Sequence, residues 1–253
     1  MTQRFVRVAH EGQARHVVVE AAGARLVDGD LFGTWQPGAA IDLGACALLA
    51  PVAPGKVIGI GRNYRDHAKE RAKPLPTFPL VFLKPTSAVI APGAPIVLPP
   101  GVGRVDYESE LAIVIGARAT RVTQADALRY VFGATCVNDV TARGLQDSGV
   151  QFSHAKGYDT FAPLGPAIAT GLDLGAIDVE GFVNGEARQS SNTRELIFPI
   201  AELVAYVSAI MTLEPGDVIM TGTPAGVGPL TAGDIVSVRI PGIGELSNPV
   251  VAG

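Results

Sequence analysis

Glycine and proline recur along the whole chain and limit the length of its regular elements. The sequence has 30 Gly and 19 Pro in 253 residues, and they separate short runs of Val, Ile and Leu. Such runs between turn residues are typical of strands joined by tight turns. We therefore predict a mostly β protein with a few short helices. The predicted strands cover residues 4–8, 16–20, 56–60, 108–115, 135–138, 178–183, 217–221 and 234–240.

The segment PVAPG, which comes just before a new apolar run, is a candidate boundary. The change in composition there predicts a small N-terminal β unit, residues 1–52, followed by a main domain, residues 53–253. The clearest helix is predicted to begin near Pro199, because proline is favoured in the first turn of a helix. The apolar residues that follow on one face at helical spacing are Ile200, Leu203, Val204 and Val207.

Charge and hydropathy argue against several classes of protein. The formal net charge is −4, and the 20 Lys and Arg residues are scattered rather than clustered, so a nucleic-acid partner is not expected. No run approaches the roughly 20 apolar residues that a spanning helix needs. The first residues lack the apolar core of a secretion signal. Cys46 and Cys136 lie among apolar neighbours without zinc or redox spacing. We expect a cytoplasmic protein with reduced cysteines and no membrane partner.

Familiar nucleotide-binding and catalytic motifs are incomplete. Gly59 and Gly61 follow a predicted strand, but the third glycine of a dinucleotide fingerprint would fall at Tyr64. The stretch MTGTPAGVGPL lacks the Gly-Lys-Ser/Thr ending of a phosphate-binding loop. The sequence also lacks the GxSxG and HExxH motifs. Nicotinamide, P-loop, serine-hydrolase and zinc-protease chemistries are therefore unsupported.

Two carboxylates in VDYESELAIVI are predicted to share one face of a strand. Side chains alternate along a strand, so Glu108 and Glu110 point the same way. Ala112 and Val114 continue that face, so the carboxylates lie where the strand becomes buried and their charges repel. A bound cation would remove this repulsion. The alternative is a solvated strand end, which is the ordinary setting of an isolated Glu-x-Glu pair.

Asp139 is the third candidate metal ligand. It follows the apolar run GATCVN and begins the polar segment DVTARGLQ, so its carboxylate lies at the end of a predicted strand. Three carboxylates without a nearby His or Cys form an oxygen-only site, which suits Mg²⁺ or Mn²⁺, with Ca²⁺ as an alternative in crystals. Arg143 and Gln146 follow at helical spacing and could face the same pocket. Each of them alone would be an ordinary surface residue.

His67 and Glu70 lie three residues apart in GRNYRDHAKE, and they share one face if residues 64–72 form a short helix. A carboxylate beside an imidazole raises its basicity and fixes its tautomer, so the pair could activate a water. The spacing alone favours the alternative, a surface ion pair of little consequence. Lys156, in HAKGYDTF, is by itself an ordinary solvated lysine.

Taken together, seven segments resemble the fumarylacetoacetate hydrolase family, in its acylpyruvase and 2-hydroxyhepta-2,4-diene-1,7-dioate isomerase-like branch. In family order they are KVIGIGRNYRDHAKE, FLKPTSAVI, DYESELAIVIG, VNDVTARGLQ, KGYDTFAPLGP, VNGEARQSSNT and LEPGDVIMTGTPAGVGPL. The resemblance runs from about Lys56 to Pro249 and finds no counterpart before Ala50. It implies mixed β-sheets rolled into a barrel-like sandwich, preceded here by the small N-terminal β unit, and assembly as a homodimer.

The resemblance also implies roles for particular residues. His67 and Glu70 correspond to a dyad on a lid, and Lys156 corresponds to a lysine that stabilises an oxyanion. The positions that correspond to metal ligands are Glu108, Glu110 and Asp139. The positions that correspond to substrate contacts are Arg143, Gln146 and Thr223.

The family implies an enzyme that acts on a small 2-oxo acid. Breaking a carbon–carbon bond beside a carbonyl leaves a carbanion, and a chelated cation can hold that charge as an enolate. An attacking water is needed only for hydrolysis, so the dyad favours cleavage of an acylpyruvate-like β-diketo acid, as in the catabolism of aromatic or related carboxylic acids. Decarboxylation of an oxaloacetate-type acid and isomerisation of a 2-hydroxy-dienedioate stay open. A metal-dependent carboxylate-binding protein is the non-enzyme alternative.

Overall fold

The computed structural model describes residues 2–70, 74–149 and 151–253 of the chain. Within these ranges the protein is mostly β with four short α-helices, which confirms the predicted fold class. The helices are α1 (Arg65–Glu70), α2 (Arg143–Asp147), α3 (Phe152–Lys156) and α4 (Ile200–Ile210). Short 3-10 turns cover Leu43–Ala45, Thr86–Ala88, Ala127–Tyr130 and Thr193–Glu195. None of the described helices is long and apolar enough to cross a membrane.

The strands of the described ranges are short, as the spacing of glycine and proline predicts. In chain order they are β1 (Arg4–His10), β2 (Gln13–Glu20), β3 (Gly23–Gly29), β4 (Trp35–Ile41), β5 (Ala47–Leu49), β6 (Val57–Gly61), β7 (Leu80–Lys84), β8 (Val89–Ile90), β9 (Ile96–Leu98), β10 (Val105–Tyr107), β11 (Ser109–Ile115), β12 (Val131–Asn138), β13 (Thr141–Ala142), β14 (Ala162–Ala169), β15 (Asp178–Val183), β16 (Glu186–Asn192), β17 (Val218–Met220), β18 (Gly228–Pro229), β19 (Ile235–Ile240) and β20 (Gly244–Ala252). Each of the eight predicted strands overlaps one of these.

Three sheets organise the strands. The largest has twelve strands and runs β4-β3-β2-β1-β14-β12-β11-β17-β6-β7, with β5 paired to β1 and β8 paired to β14. A three-stranded sheet runs β13-β10-β18, and a five-stranded sheet runs β16-β15-β19-β20-β9. Many strands that are neighbours in a sheet are distant in the sequence, such as β1 and β14 or β11 and β17. Their pairing brings together the segments that form the candidate site.

The N-terminal strands continue the large sheet rather than standing apart from it. β1 pairs antiparallel with β14, with Arg4 opposite Ala169 and Phe5 opposite Ile168. The remaining N-terminal strands extend outward from β1. The division of the chain into residues 1–52 and 53–253 stays a prediction.

Strand β11 lies at the centre of the large sheet and is buried on both faces. Leu111 and Ile113 belong to one apolar cluster, and Ala112 and Val114 belong to another on the opposite face. All four side chains are fully buried. Burying one such Leu or Ile contributes about 1.5–3 kcal/mol, so this strand is a rigid base for the residues at its N-terminal end.

Helix α4 is confirmed where it was predicted. It begins at Ile200, with Pro199 as its N-cap residue, and its buried face includes Leu203, Val204 and Val207. These side chains join the apolar cluster that also contains Leu111, so the helix covers one face of the sheet. Its role in the fold is packing.

The predicted strand over residues 108–115 is broken at its first residue. β10 ends at Tyr107 and β11 begins at Ser109, because the backbone of Glu108 bonds outside a ladder. Its N–H donates to Asn138 Oδ1 at 2.9 Å, and its carbonyl accepts from Asp139 N at 2.8 Å. The predicted helix over residues 64–72 is observed as α1, and its last two positions lie outside the described residues.

Candidate metal centre and active site

Three buried carboxylates, Glu108, Glu110 and Asp139, converge where the central strand β11 begins and the neighbouring strand β12 ends; we call them the carboxylate cluster. They are 5%, 2% and 1% exposed, and one oxygen of each lies within 4.8 Å of the others. The antiparallel pairing of β11 with β12 places Ser109 opposite Asn138, so the residues beside that pair become neighbours. The cluster that the sequence predicted is therefore brought together by the fold.

The carboxylate cluster has the donor chemistry and the charge of a site for a divalent cation. Burial and the nearby charges of Asp139 and Glu108 raise the pKa of Glu110 well above its usual value. The hydrogen bond from Gly222 N to Glu110 Oε2, at 2.7 Å, only partly offsets this. A hard divalent cation would relieve the repulsion, and an all-oxygen donor set suits Mg²⁺ or Mn²⁺. These residues fit such an ion.

Lys156 lies inside the carboxylate cluster, not in solvent. Its Nζ donates to Glu108 Oε2 at 2.8 Å, to Asp139 Oδ2 at 2.5 Å and to Thr141 Oγ1 at 2.8 Å. Burial lowers the pKa of Lys156, but Asp139 and Glu108 outweigh burial and raise it. The amine is therefore held as an ammonium ion against the cluster.

Lys84 is a second buried lysine that the sequence analysis did not single out. Its Nζ donates to Asp139 Oδ1 at 2.5 Å, to Phe161 O at 2.6 Å and to Val140 O at 3.2 Å. Burial lowers the pKa of Lys84, and Asp139 opposes that shift. The three bonds use all three ammonium hydrogens, so Lys84 is a fixed anchor for Asp139. The sequence signal that could have identified Lys84 is its position directly after the apolar run LVFL.

Arg143 links the carboxylate cluster to a fourth buried acid. Its Nη2 donates to Glu108 Oε1 at 2.6 Å, and its Nε donates to Asp106 Oδ2 at 2.8 Å. Its Nη1 donates to Gln146 Oε1. Asp106, which sequence reasoning missed, also accepts two bonds from Arg104 at 2.6 and 3.0 Å. These contacts fix the guanidinium of Arg143 at the wall of the site.

The pKa values of the two glutamates of the cluster are shifted in opposite directions. Burial raises the pKa of Glu108, but the positive charges of Lys156 and Arg143 outweigh it and hold that pKa well below its usual range. Glu110 has no such cationic partner at bonding distance among the described residues. Glu108 is thus stabilised as an anion, whereas Glu110 is not.

His67 and Glu70, here called the dyad, form the hydrogen bond that their spacing predicted. His67 Nδ1 lies 3.2 Å from Glu70 Oε2, and Glu70 Oε1 accepts from Gly226 N at 3.1 Å. Burial lowers the pKa of His67, while Glu108 and Glu70 oppose that shift. The imidazole is therefore neutral near pH 7 and able to accept a proton.

Thr223 lies at the site with its hydroxyl already bonded to the chain. Its Oγ1 donates to Ser109 O at 3.0 Å and accepts from Gln189 Nε2 at 2.8 Å. Gln189, which the sequence analysis did not identify, also accepts from Ser109 N at 2.9 Å. A ligand that bonded to the Thr223 hydroxyl would have to share it with Ser109 and Gln189.

A cavity of about 310 Å³ unites these groups. Of the nine site residues predicted from the sequence, eight line it, and Glu70 stands behind His67. The lining residues are Ile60, Gly61, Arg62, His67, Glu108, Glu110, Asp139, Arg143, Gln146, Asp147, Gly149, Phe152, Lys156 and Thr223. This volume is at the small end of ligand pockets, so the cavity suits a small molecule.

The fold and this cavity define a β-rich protein with a buried cluster of three carboxylates that could hold a divalent cation. Residues 56–251 match the family described as fumarylacetoacetate (FAA) hydrolase C-terminal, and residues 3–51 match the Rv2993c-like N-terminal family. The chain belongs to the fumarylacetoacetate hydrolase family. The second match gives a counterpart to the N-terminal segment, for which the sequence analysis found none.

Relatives within this family carry different activities. The 2-hydroxyhepta-2,4-diene-1,7-dioate isomerase of Mycobacterium marinum is 41% identical, with a TM-score of 0.91 over 99% of this chain and 98% of that one. The maleylpyruvate hydrolase of Sphingobium sp. SYK-6 is 40% identical, with a TM-score of 0.74 over 85% and 77%. The mitochondrial oxaloacetate tautomerase fahd2 of Xenopus laevis is 42% identical over 81% of this chain and 68% of its own length. Isomerase, hydrolase and tautomerase are therefore all found among its relatives.

Proposed function

We propose that this chain is a divalent-metal-dependent hydrolase that cleaves a carbon–carbon bond in a small acylpyruvate-like 2-oxo acid, in the catabolism of aromatic or related carboxylic acids. The observation that carries the proposal is the dyad, whose histidine lines the same cavity as the carboxylate cluster. The maleylpyruvate hydrolase among the relatives supports the reaction class.

Glu108, Glu110 and Asp139 would hold the cation, and Mg²⁺ or Mn²⁺ suits their oxygen atoms. When bound, the cation supplies Lewis-acid stabilisation of developing negative charge beside the 2-oxo group. Lys84 and Lys156 donate to different oxygens of Asp139, so both oxygens are already hydrogen-bonded and a cation would share one of them.

The dyad provides the base for the hydrolytic step. Glu70 accepts from His67 Nδ1, which keeps a proton on that atom and leaves Nε2 as the acceptor. His67 Nε2 would take a proton from water as the water attacks the distal carbonyl of the substrate. A positioned base of this kind contributes about 10²- to 10⁴-fold in rate.

Lys156 and Arg143 would serve the charged parts of the substrate. Lys156 would steady the oxyanion that forms at the distal carbonyl, by exchanging one of its present acceptors for the substrate oxygen. Arg143, Gln146 and Thr223 would contact the substrate from the cavity wall.

The charge of the site supports an anionic substrate. The buried acids Asp106, Glu108 and Asp139 are paired with Lys84, Lys156, Arg143 and the half-exposed Arg104, and Arg62 is a further cation that lines the cavity. A divalent cation would add two more positive charges to this set. A carboxylate together with a developing enolate would offset them.

Two other reactions stay open for this site. The isomerase and tautomerase relatives favour proton migration in a 2-oxo or 2-hydroxy-dienoic acid, which needs no attacking water. Decarboxylation of an oxaloacetate-type acid would form the same enolate. A metal-dependent carboxylate-binding protein without turnover is the non-enzyme alternative.

We also propose a cytoplasmic homodimer. β7 lies at one end of the large sheet, and the exposed side chains of Leu83 on that strand and Phe78 before it are 42% and 56% accessible. Apolar groups beside an edge strand suit coverage by a second copy of the chain. The location rests on the sequence features alone, and we propose neither a membrane nor a nucleic-acid partner.

A substrate screen tests the reaction. Purified protein with Mg²⁺ or Mn²⁺ would be assayed against acylpyruvates, fumarylpyruvate, oxaloacetate and homoprotocatechuate-pathway dienoates. The proposal expects acylpyruvate cleavage to have the highest kcat/KM. If isomerisation or decarboxylation were faster, that reaction would become the proposed function in place of hydrolysis. If no acid were turned over, the carboxylate-binding protein would be the better description.

A further inference from the structure

Arg62 stands out among the cations of the cavity because nothing in the described chain neutralises it. Among the described residues, three arginine or lysine side chains line the cavity: Arg62, Arg143 and Lys156. Arg143 and Lys156 are paired with buried carboxylates. Arg62 forms no ion pair with any described residue, and its Nε is buried without a hydrogen-bond partner among them. A buried N–H group without an acceptor is costly, and a half-exposed guanidinium without an ion pair in the described chain suits an anionic group from outside the chain.

The backbone does not explain an arginine at this position. Arg62 has φ of 55°, in the left-handed region that glycine adopts far more readily than a residue with a Cβ atom. The next residue holds the chain there, because Asn63 Nδ2 donates to Thr221 O at 2.8 Å and Asn63 Oδ1 accepts from Phe198 N at 2.8 Å. Strained residues of this kind concentrate at functional sites.

Arg62 also stands where the cavity meets the surface. It follows Gly61 at the end of β6, and with Phe152 it lines both the cavity and a neighbouring groove that contains Phe78 and Ile210. Arg62 and Phe152 are the described residues that line both the cavity and the groove, so a ligand that extended from one to the other would pass Arg62. Asp147, which lines the same cavity, already has an interaction of its own.

We infer that Arg62 binds the distal anionic group of the substrate, so that the site selects 2-oxo acids that carry a second carboxylate. The inference rests on the proposed function, because it assumes that the 2-oxo acid end lies at the carboxylate cluster. A guanidinium presents parallel N–H donors that match a carboxylate, and such charge-assisted bonds are among the strongest in proteins. Arg62 is then a specificity residue of the site.

Matched pairs of ligands test the inference by direct binding. Calorimetry with the Mg²⁺-loaded protein would compare 2-oxoglutarate with 2-oxopentanoate, and 2-oxoadipate with 2-oxohexanoate. Within each pair a methyl group replaces the second carboxylate. The parent protein should prefer the dicarboxylate by about 10- to 100-fold for at least one chain length, the value of a charge-assisted hydrogen bond. Arg62→Gly and Arg62→Met should lose that preference.

Arg121 offers a matched control for the glycine variant. It is an exposed arginine with φ of 49°, and it does not line the cavity. Arg62→Gly and Arg121→Gly should each leave Tm within a few degrees of the parent value or raise it, since both relieve a left-handed residue. Only Arg62→Gly should change ligand preference.

The outcomes separate this inference from the proposed function. Equal binding of the dicarboxylate by the parent and both Arg62 variants would overturn the role of Arg62 and leave the proposed function standing. A fall in Tm confined to Arg62→Gly, with ligand preference retained, would make Arg62 a structural residue instead. If the parent bound none of the four acids, the proposed function and the inference would fall together.

Discussion

The carboxylate cluster and the dyad face one cavity, but the chain holds them in different ways. Glu108, Glu110 and Asp139 are buried at the ends of central strands, and each accepts at least one hydrogen bond from a distant part of the chain. His67 and Glu70 lie on a helix of six residues, and the side chain of Glu70 is 38% exposed. A group built into the sheet affects both stability and metal binding when it is changed. A group on a short helix can be changed with an effect on rate alone.

The largest expected effect is at the carboxylate cluster. Removal of divalent cations with a chelator should abolish activity, and Mg²⁺ or Mn²⁺ should restore it, because the cluster offers only hard oxygen ligands. Activity would be measured before and after chelation and after titration with each metal. Full activity in a metal-free preparation would contradict the assignment of Glu108, Glu110 and Asp139 as metal ligands.

A change at the dyad should lower the rate and leave metal binding intact. His67→Ala should slow acylpyruvate cleavage by about 10²- to 10⁴-fold, and Glu70→Gln should slow it less, because Glu70 orients the base. Metal affinity measured by calorimetry should stay near the parent value in both variants. Exchange of the substrate C3 protons with solvent, followed by NMR, should survive in His67→Ala.

The same variant distinguishes the open reactions. Cleavage at the parent rate by His67→Ala would remove the hydrolytic role of the dyad. Isomerisation or decarboxylation would then describe the site better, since neither needs an attacking water.

Within the carboxylate cluster, the two glutamates should respond with opposite signs. Glu108→Gln should lower the metal-free stability by about 3 kcal/mol, because it removes the partner of two buried cations. Glu110→Gln should raise metal-free stability, since the folded state raises the pKa of Glu110 and disfavours its charged form. Both variants should weaken Mg²⁺ binding. Urea denaturation and calorimetry would measure the two quantities.

The stabilities of the two variants should also depend on pH in different ways. The raised pKa of Glu110 means that the folded state holds an extra proton above pH 4.5, so the advantage of Glu110→Gln should grow as pH rises above that value. The lowered pKa of Glu108 means that its contribution is complete above pH 4.5 and is lost at lower pH. Parallel pH profiles for the two variants would contradict this difference.

The smallest expected effect is a shift in the pH profile of the rate. Burial lowers the pKa of His67, so the acid limb of kcat/KM should have its midpoint below 6.5. Glu70 raises the pKa of His67, so Glu70→Gln should move that midpoint to still lower pH. The limb should be absent in His67→Ala. A midpoint above 6.5 would point to a different base.

Local sequence patterns predicted the elements and much of the site. Alternation placed Glu108 and Glu110 on one face, the end of an apolar run marked Asp139, and helical spacing placed His67 beside Glu70. These patterns depend on neighbours within a few residues, so the chain alone carries them. Family resemblance was needed for Lys156 and Thr223, because a single lysine or threonine has no local signature of a site.

Tertiary structure alone decided which groups became partners. Lys84 reaches Asp139 across 55 positions, and Gln189 reaches Ser109 across 80. It also decided that Glu108 and Glu110, identical in chemistry and two residues apart, have pKa values displaced in opposite directions. The sequence determined which ionisable groups the chain possesses and the faces on which they lie. Their charge state depends on burial and on the cations that distant helices bring to within 2.6 and 2.8 Å of Glu108, which no local pattern records.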